Sequence, residues 1–273
     1  MTTTYSPGPP IWCAGCGHFG VQASLRRALV ATGVADHEVL ILAGIGCSGT
    51  IQNNLGTYGF HALHGRVLPT AIGAHLGNPG LTVIAAGGDG DGYAIGMGHL
   101  VHAFRRNPAI VYVLMNNGTY GLTKGQPSPT AAAGGMEGID GIRLGLAIPG
   151  TTFLARGFAR WVDQMDVLMA GALRHAREGR GFAFIEVMSP CVTYNDTYPE
   201  WESSMTDLDS DGGHDPADRS AAFASSVALA AEGRIPVGLI YHDPGADPAP
   251  RAPEVPGSPE THDLSGFLDR YRV

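Results

Sequence analysis

Two aspartates, two asparagines and several glycines occupy the stretch of this sequence whose residue types and spacing could do chemistry. Gly87 to Asp91 read G-G-D-G-D, and Asn116 to Gly118 read N-N-G. Either half alone is no more than a tight turn, so the weight falls on what surrounds them. Leu81 to Ala86 and Ala109 to Met115 are short apolar runs ended by turn residues, the pattern of strands buried on both faces. Between them, Tyr93 to Arg106 is long enough for one helix, and Pro108 ends it. A strand–helix–strand unit lays its strands parallel, and neighbouring strands sit about 4.8 Å apart. Asp89 and Asn117, each just past the carboxyl end of its strand, are therefore expected side by side at one edge of a sheet. A carboxylate oxygen, an amide oxygen and the backbone carbonyl of Thr119 would suit Mg²⁺, which takes an octahedron of oxygens at roughly 2.0–2.1 Å and shares it with phosphates. Gly88, Gly90 and Gly92 would let a diphosphate approach the main chain, and the helix starting near Gly92 points its first amides at that anion.

Cysteine supplies a second kind of chemistry. The chain has four: Cys13 and Cys16 in W-C-A-G-C-G-H, Cys47 in G-I-G-C-S-G, and Cys191 after Ser189-Pro190. Cys47 follows an expected strand, Glu38 to Ala43, and Cys191 follows another, Phe182 to Met188. In a parallel sheet both emerge at the edge that carries Asp89 and Asn117, and the C-x-x-C loop has only to fold across it. Four thiolates suit a [4Fe–4S] cluster or structural zinc. A redox dithiol would explain the C-x-x-C but not the other two, and four inert buried thiols is the plainest reading.

The elements that must position these groups read as an α/β protein: a doubly wound, mostly parallel sheet with helices on both faces. Helices are expected at Phe19 to Thr32, Val67 to Leu76, Ala159 to Arg177 and Ser220 to Glu232, with further strands at Thr151 to Phe158 and Val237 to Tyr241. Thr50 to Arg66 reads as a loop over the site, and Thr123 to Gly150 as a long irregular connection of the kind that forms lids or partner contacts. Tyr198 to Arg219 is acidic and glycine-rich and reads as a mobile surface segment. Residues 1–200 would form the cofactor-binding domain and 201–273 an extension with one helix and one strand. Met1 to Pro10 reads as an extended arm, and the proline-rich tail from Asp243 as disordered or wrapped on a partner.

Composition narrows the class. With 273 residues the chain can bury a generous core. Only 15% of residues are charged and 40 are glycine, which suggests that much of the surface is covered by ligand or by a partner chain. A net charge of −8 with no basic run argues against a nucleic-acid partner. No apolar stretch reaches the ~20 residues of a membrane span, and the amino terminus lacks the blocks of a signal peptide, so a cytoplasmic protein is expected.

The longer strings carry a resemblance. G-D-G-D with H-x-x-H-A-x-R-R-N, then N-N-G-T-Y-G-L-T-K-G-Q-P-S-P-T, is similar to the thiamine diphosphate-binding (beta) subunit of the 2-oxoacid:ferredoxin oxidoreductases. W-C-x-G-C-G, G-I-G-C-S-G and P-C-x-T-Y-N-D resemble the cluster-binding segments of the same subunit, and the match spans roughly residues 12–197. The resemblance implies a thiamine diphosphate-binding fold and CoA-dependent oxidative decarboxylation of a 2-oxoacid, with electrons passing through a [4Fe–4S] cluster to ferredoxin. It implies Mg²⁺ on Asp89, Asn117 and the Thr119 carbonyl, and cluster ligation by Cys13, Cys16, Cys47 and Cys191. The coenzyme would be lined by Ile45, Gly46, Cys47, Ser48, His64, Gly65, Gly90, Asp91, Gly121 and Leu122.

His64 in H-A-L-H-G-R is expected to bond cofactor or substrate, with Arg66 and Lys124 as cations for the substrate carboxylate; His61 also reads as structural, and His99 and His102 as helix-face residues at a contact between subunits. No glutamate suits activation of the aminopyrimidine: Glu38 starts a strand, Glu186 is mid-strand and Glu137 lies in a loop. In the family an alpha subunit supplies it, which implies a hetero-oligomer, αβ or α2β2. Relatives often carry Lys or Arg after C-S-G or C-S-S where this chain has Thr50, so the acid remains open among pyruvate, 2-oxoglutarate and bulkier ones. Two rival readings stand beside this one: a non-redox thiamine diphosphate decarboxylase or synthase with structural zinc, and a cluster-only electron-transfer subunit.

Overall fold

Short runs of Val, Ile, Leu and Ala fold as strands here because both of their faces are covered. A computed structural model describes residues 5, 9–132, 134, 136–210 and 212–246. Its strands are β1 (Val39–Ala43), β2 (Tyr58–His61), β3 (Thr82–Gly88), β4 (Val111–Asn116), β5 (Thr119–Tyr120), β6 (Gln126–Pro127), β7 (Phe153–Phe158), β8 (Ala183–Met188), β9 (Met205–Asp207) and β10 (Ile235–His242). One sheet runs in the order β2-β1-β3-β4-β8-β7-β10-β9, and β5 and β6 form a separate hairpin. The six strands from β2 to β7 in that order are mutually parallel, whereas β10 runs antiparallel to β7.

Every residue of β4 is buried, and the pleat divides its side chains between two cores. Val111, Val113 and Met115 pack with Ile41, Ile84 and Ile185 beneath α1 (His18–Ala31) and α5 (Val162–Arg177). Tyr112 and Leu114 pack with Leu42, Phe104, Leu154 and Phe184 on the other face. There α2 (Val67–Gly77), α3 (Met97–Arg106), α4 (Gly141–Leu146) and α7 (Arg219–Ala231) cover the sheet. The doubly wound arrangement expected from the sequence is thus observed.

Four segments differ from expectation. Thr50 to Arg66 is not all loop: a 3-10 stretch, Cys47–Asn54, leads into β2, which pairs with β1. As an edge strand with all four residues exposed, β2 lacks the apolar signature of its neighbours. The helix expected from Tyr93 begins as a π-helical turn, Asp91–Ile95, before α3; such turns recur at functional sites. The acidic segment from Tyr198 is ordered at its start, with α6 (Tyr198–Ser204) and then β9. Tyr198 is buried against Phe158, and the Arg160 guanidinium lies 3.9 Å from its ring centroid, so packing outweighs the polar composition. The connection after Thr123 contains β6 and α4, the latter capped by Asp140 accepting from the amides of Ile142 and Arg143. Strands β9 and β10 add to the same sheet at its far edge. Of the amino-terminal arm, residues 1–4 and 6–8 lie outside the described residues, as does the tail from residue 247; Tyr5 is buried and its hydroxyl donates to the Val34 carbonyl.

One ionic group sits inside the sheet. Arg156 on β7 and Glu186 on β8 face each other, with Arg156 Nε donating to Glu186 Oε2 at 2.7 Å and Nη2 donating to Asp140 at 2.8 Å. Burial works against the guanidinium charge, but Asp140 and Glu186 outweigh it and hold its pKa above the usual value. Arg156→Met is expected to destabilise the fold by about 3–5 kcal/mol because it leaves Glu186 buried and uncompensated, read as a large fall in melting temperature. A second consequence concerns acid. Burial first, then the neighbouring His242 and Arg180, depress the pKa of His175 from 6.5 to about 4. Between those values the unfolded chain binds a proton that the folded chain refuses. The stability this contributes is full above about pH 6.5 and is lost as pH falls toward 4, by up to about 3 kcal/mol. His175→Gln is expected to flatten the pH dependence of thermal unfolding across that window.

Candidate functional site at the carboxyl edge of the sheet

The chain passes from β1 outward to β2 and then returns to β3 on the opposite side of β1. That reversal opens a crevice at the carboxyl ends of the strands, where open α/β sheets bind ligands. Into it run the loops after β1 (Gly44 to Ser48), β3 (Asp89 to Asp91), β4 (Asn117 and Gly118) and β8 (Ser189 to Cys191).

Asp89 and Asn117 are adjacent, as their registers on β3 and β4 require: Gly88 pairs with Met115, and the Asn117 amide donates to Asp89 Oδ1 at 3.4 Å. Asp89 is buried, and its Oδ2 accepts from the hydroxyls of Ser128 and Thr130, the latter at 2.6 Å. Burial raises the Asp89 pKa, and these hydroxyls with the Asn117 amide offset only part of the rise. Asn117 Oδ1 accepts from the Thr119 amide at 3.0 Å, and Thr119 is buried at the base of the β5–β6 hairpin. The buried Asp89 and the Asn117 amide oxygen are donor types that would suit a magnesium diphosphate. The glycines let neighbouring side chains close on the turn: a Cβ on Gly90 would lie 2.3 Å from the Tyr120 ring, and one on Gly88 would lie 3.1 Å from Ser48 Oγ.

Asp91 points the other way. Its Oδ1 accepts from the amides of Ile45 at 2.9 Å and Gly65 at 2.8 Å, which clamps the β1 loop and the H-G-R loop onto the start of the helix. His64 Nδ1 lies 3.1 Å from the same oxygen, and Asp91 Oδ2 is buried without a partner. Arg66 is spread over the carbonyls of Gly65 and Ile95 at 3.3 and 3.4 Å. Gly46, directly before Cys47, has φ +118°, a conformation that favours glycine. Leu122 and Lys124 lie exposed at the tip of the hairpin, beyond Gly121.

Two of the four cysteines lie against that hairpin, and the C-x-x-C loop joins them. A Cβ on Gly121 would lie 3.3 Å from Cys47 Sγ and 3.9 Å from Cys191 Sγ. The Gly17 amide donates to the Pro190 carbonyl at 3.1 Å, and Trp12 Nε1 donates to the Cys47 carbonyl at 2.7 Å, so the C-x-x-C loop is fastened to both other cysteine loops. Burial pushes the Cys16 thiol up to about 11; a hydrogen bond from the His18 backbone amide opposes this, and charge on Cys191, Cys47 and Cys13 adds to it. Burial, with Cys191 and Cys13, likewise raises the Cys47 thiol. Cys16 thus feels the other three and Cys47 feels Cys191 and Cys13; all four are free thiols, a donor set that fits a thiolate-ligated cluster. Among the described residues, no group of three or more His, Cys, Asp or Glu side chains closes around a single ion.

Sequence reasoning missed several contributors. Ser128 and Thr130 reach Asp89 from 39 and 41 positions away; the Q-P-S-P-T string is their only signal. Asn116 Nδ2 donates to Glu186 at 3.0 Å, and Asn195 Nδ2 donates to the Asn117 carbonyl at 2.9 Å. That last bond joins the Cys191 loop to the turn that carries Asn117.

A sheet-edge crevice with this turn is the hallmark of enzymes that bind a coenzyme through its diphosphate. Residues 44–187 match the family model described as the thiamine pyrophosphate enzyme, C-terminal TPP binding domain, and residues 191–250 match the model for the C terminal of the pyruvate ferredoxin oxidoreductase beta subunit. The chain is 38% identical to 2-oxoacid:ferredoxin oxidoreductase 2, subunit beta, of Aeropyrum pernix, over 95% of this chain and 94% of the relative. It is 35% identical to the 2-oxoglutarate synthase subunit KorB of Methanothermobacter thermautotrophicus, over 68% of this chain and 67% of the relative. A solved structure, the 2-oxoglutarate:ferredoxin oxidoreductase from Magnetococcus marinus with 2-oxoglutarate, coenzyme A and succinyl-CoA bound, is similar with a TM-score of 0.82 and 33% identity. That match covers 100% of this chain and 97% of that chain. The chain belongs to the 2-oxoacid:ferredoxin oxidoreductase family, as a thiamine diphosphate-dependent beta subunit.

Gly90→Ala tests the turn after β3 as a coenzyme cradle: its methyl group meets the Tyr120 ring, whose hydroxyl lies 3.5 Å from the Gly90 carbonyl. The variant is expected to retain at least tenfold less thiamine diphosphate after gel filtration of the complex, with its circular dichroism spectrum unchanged.

Proposed function

We propose that this chain, with an alpha subunit, carries out CoA-dependent oxidative decarboxylation of a 2-oxoacid and passes the electrons to ferredoxin. Thiamine diphosphate would supply the electron sink for the carbanion left by carbon dioxide, and a [4Fe–4S] cluster one-electron transfer. What carries the reading is a juxtaposition. Gly121, which brings the hairpin against Cys47 and Cys191, lies two residues beyond Thr119 in the turn of Asn117, beside Asp89.

In this reading Asp89, Asn117 and the Thr119 carbonyl hold Mg²⁺, and Cys13, Cys16, Cys47 and Cys191 hold the cluster. Ile45, Gly46, Cys47, Ser48, Gly65, Gly90, Gly121 and Leu122 line the coenzyme, and Asp91 braces the loops that do so. His64, whose Nδ1 lies 3.1 Å from Asp91 Oδ1 without a hydrogen bond, would turn its ring to the substrate or coenzyme. Arg66 and Lys124 are the cations for the substrate carboxylate. Thr50 does not take that role: its hydroxyl donates to the Cys47 carbonyl at 3.0 Å. The activating glutamate comes from the partner. Glu186 already accepts from Tyr93, Asn116 and Arg156, Glu38 precedes β1 at the opposite edge, and Glu137 is exposed on the connection. Residues 1–200 act as the cofactor domain and 201–273 as an extension, in a cytoplasmic αβ or α2β2 complex. No helix among the described residues is long and apolar enough to cross a membrane.

Anaerobic purification with the co-expressed partner tests this. A brown complex containing about four iron atoms per beta chain, with extractable thiamine diphosphate, is expected. Colourless protein that contains zinc contradicts the redox step. Asp89→Ala is expected to abolish Mg²⁺-dependent retention of thiamine diphosphate while leaving the iron content intact.

A further inference from the structure

The two oxygens of Asp89 have unequal surroundings. Oδ2 is taken up by two hydroxyls, Ser128 Oγ and Thr130 Oγ1 at 2.6 Å, whereas Oδ1 meets only the Asn117 amide, at a long 3.4 Å. The hydroxyls are themselves fixed. Pro127 and Pro129 flank Ser128 and restrict its backbone. Thr130 Oγ1 is also 2.9 Å from Asn116 Oδ1. Asn116 is turned by Glu186, which accepts from its Nδ2 at 3.0 Å, and Glu186 is locked by Arg156 at 2.7 Å and Tyr93 at 3.0 Å. A chain of contacts thus runs from a buried ion pair to one oxygen of a candidate metal ligand.

We propose that Ser128 and Thr130 determine which ion this site accepts, by occupying Asp89 Oδ2 so that the carboxylate can offer a metal a single oxygen. The proposal rests on the reading of Asp89 as a metal ligand. Mg²⁺ fills its octahedron with single oxygens and water, so a carboxylate restricted to Oδ1 serves it fully. Ca²⁺ gathers six to eight oxygens at longer distances, often by taking both oxygens of one carboxylate. Holding Oδ2 removes that option; Asn116 Oδ1 competes at 2.9 Å for the single Thr130 proton, so Ser128, held between two prolines, is the firmer occupant. Ser128 and Thr130 act here as positioning residues, in the way that groups behind a metal ligand tune its affinity. The long connection after Thr123 would then serve the metal site directly and not only as a lid.

The test uses the complex with its partner chain, stripped of metal and coenzyme. Thiamine diphosphate retention is measured by equilibrium dialysis against rising Mg²⁺ or Ca²⁺. Thr130→Val keeps the shape and removes the hydroxyl. Ser128→Ala/Thr130→Val, which frees Oδ2, is expected to lower the Mg²⁺-over-Ca²⁺ preference by roughly tenfold, the order that one hydrogen bond to a charged group is worth, and Thr130→Val, which leaves Ser128 on Oδ2, by less. Thr130→Ser, which restores the hydroxyl, is expected to match the wild type. Equal weakening of both ions in Ser128→Ala/Thr130→Val, or an altered preference in Thr130→Ser, would overturn the proposal while leaving Asp89 as the ligand. Metal dependence that survives in Asp89→Ala would overturn the ligand assignment and the proposal together.

Discussion

A carboxylate buried among neutral donors is the constraint on which this site turns. Asp89 sits at the end of a central parallel strand, and its neighbours within bonding distance are two hydroxyls and a backbone amide. Burial alone pushes its pKa up, so the ionised form gains most from a cation placed at the crevice. The fold explains why the group is there. Parallel strands deliver every following loop to the same edge, and the fully buried strands behind that edge leave little freedom for the loops to shift.

The segment from Asn117 to Thr130 concentrates the chemistry. Its first turn places Asn117 and Thr119 beside Asp89, Gly121 in its loop fits between the sulfurs of Cys47 and Cys191, and its return strand brings back Ser128 and Thr130. Asn195 then ties the Cys191 loop to the Asn117 carbonyl, and Trp12 ties the amino-terminal loop to Cys47. A few bonds therefore separate the candidate metal turn from the cysteines.

Much of this was legible in the sequence, for definite reasons. The unit from β3 to β4 announces itself through apolar runs that only doubly buried strands tolerate, and the turn residues that end them locate Asp89 and Asn117. The cysteines could be placed at the same edge because strand direction fixes where a following loop emerges. What stayed hidden depends on contacts remote in the chain. Exposed β2 carries no apolar signal, since only one side of it is paired. The start of the acidic segment folds because Tyr198 and Met205 find a pocket beside Phe158. Ser128 and Thr130 gained their role from the path of an irregular connection, which no periodicity encodes. Glu186, unremarkable in mid-strand, is the anchor of the polar chain behind Asp89.

The central claim is that one edge of a parallel sheet holds a metal–diphosphate site and a four-cysteine cluster side by side. The most direct measurement is an anomalous-difference map at the iron edge from anaerobic crystals of the complex soaked with Mg²⁺ and thiamine diphosphate. The account predicts an iron peak enclosed by Cys13, Cys16, Cys47 and Cys191 next to Gly121, and a separate octahedral ion bonded to Asp89 and Asn117. An iron-free thiol cluster, or Cys191 turned away from the other three, would contradict it.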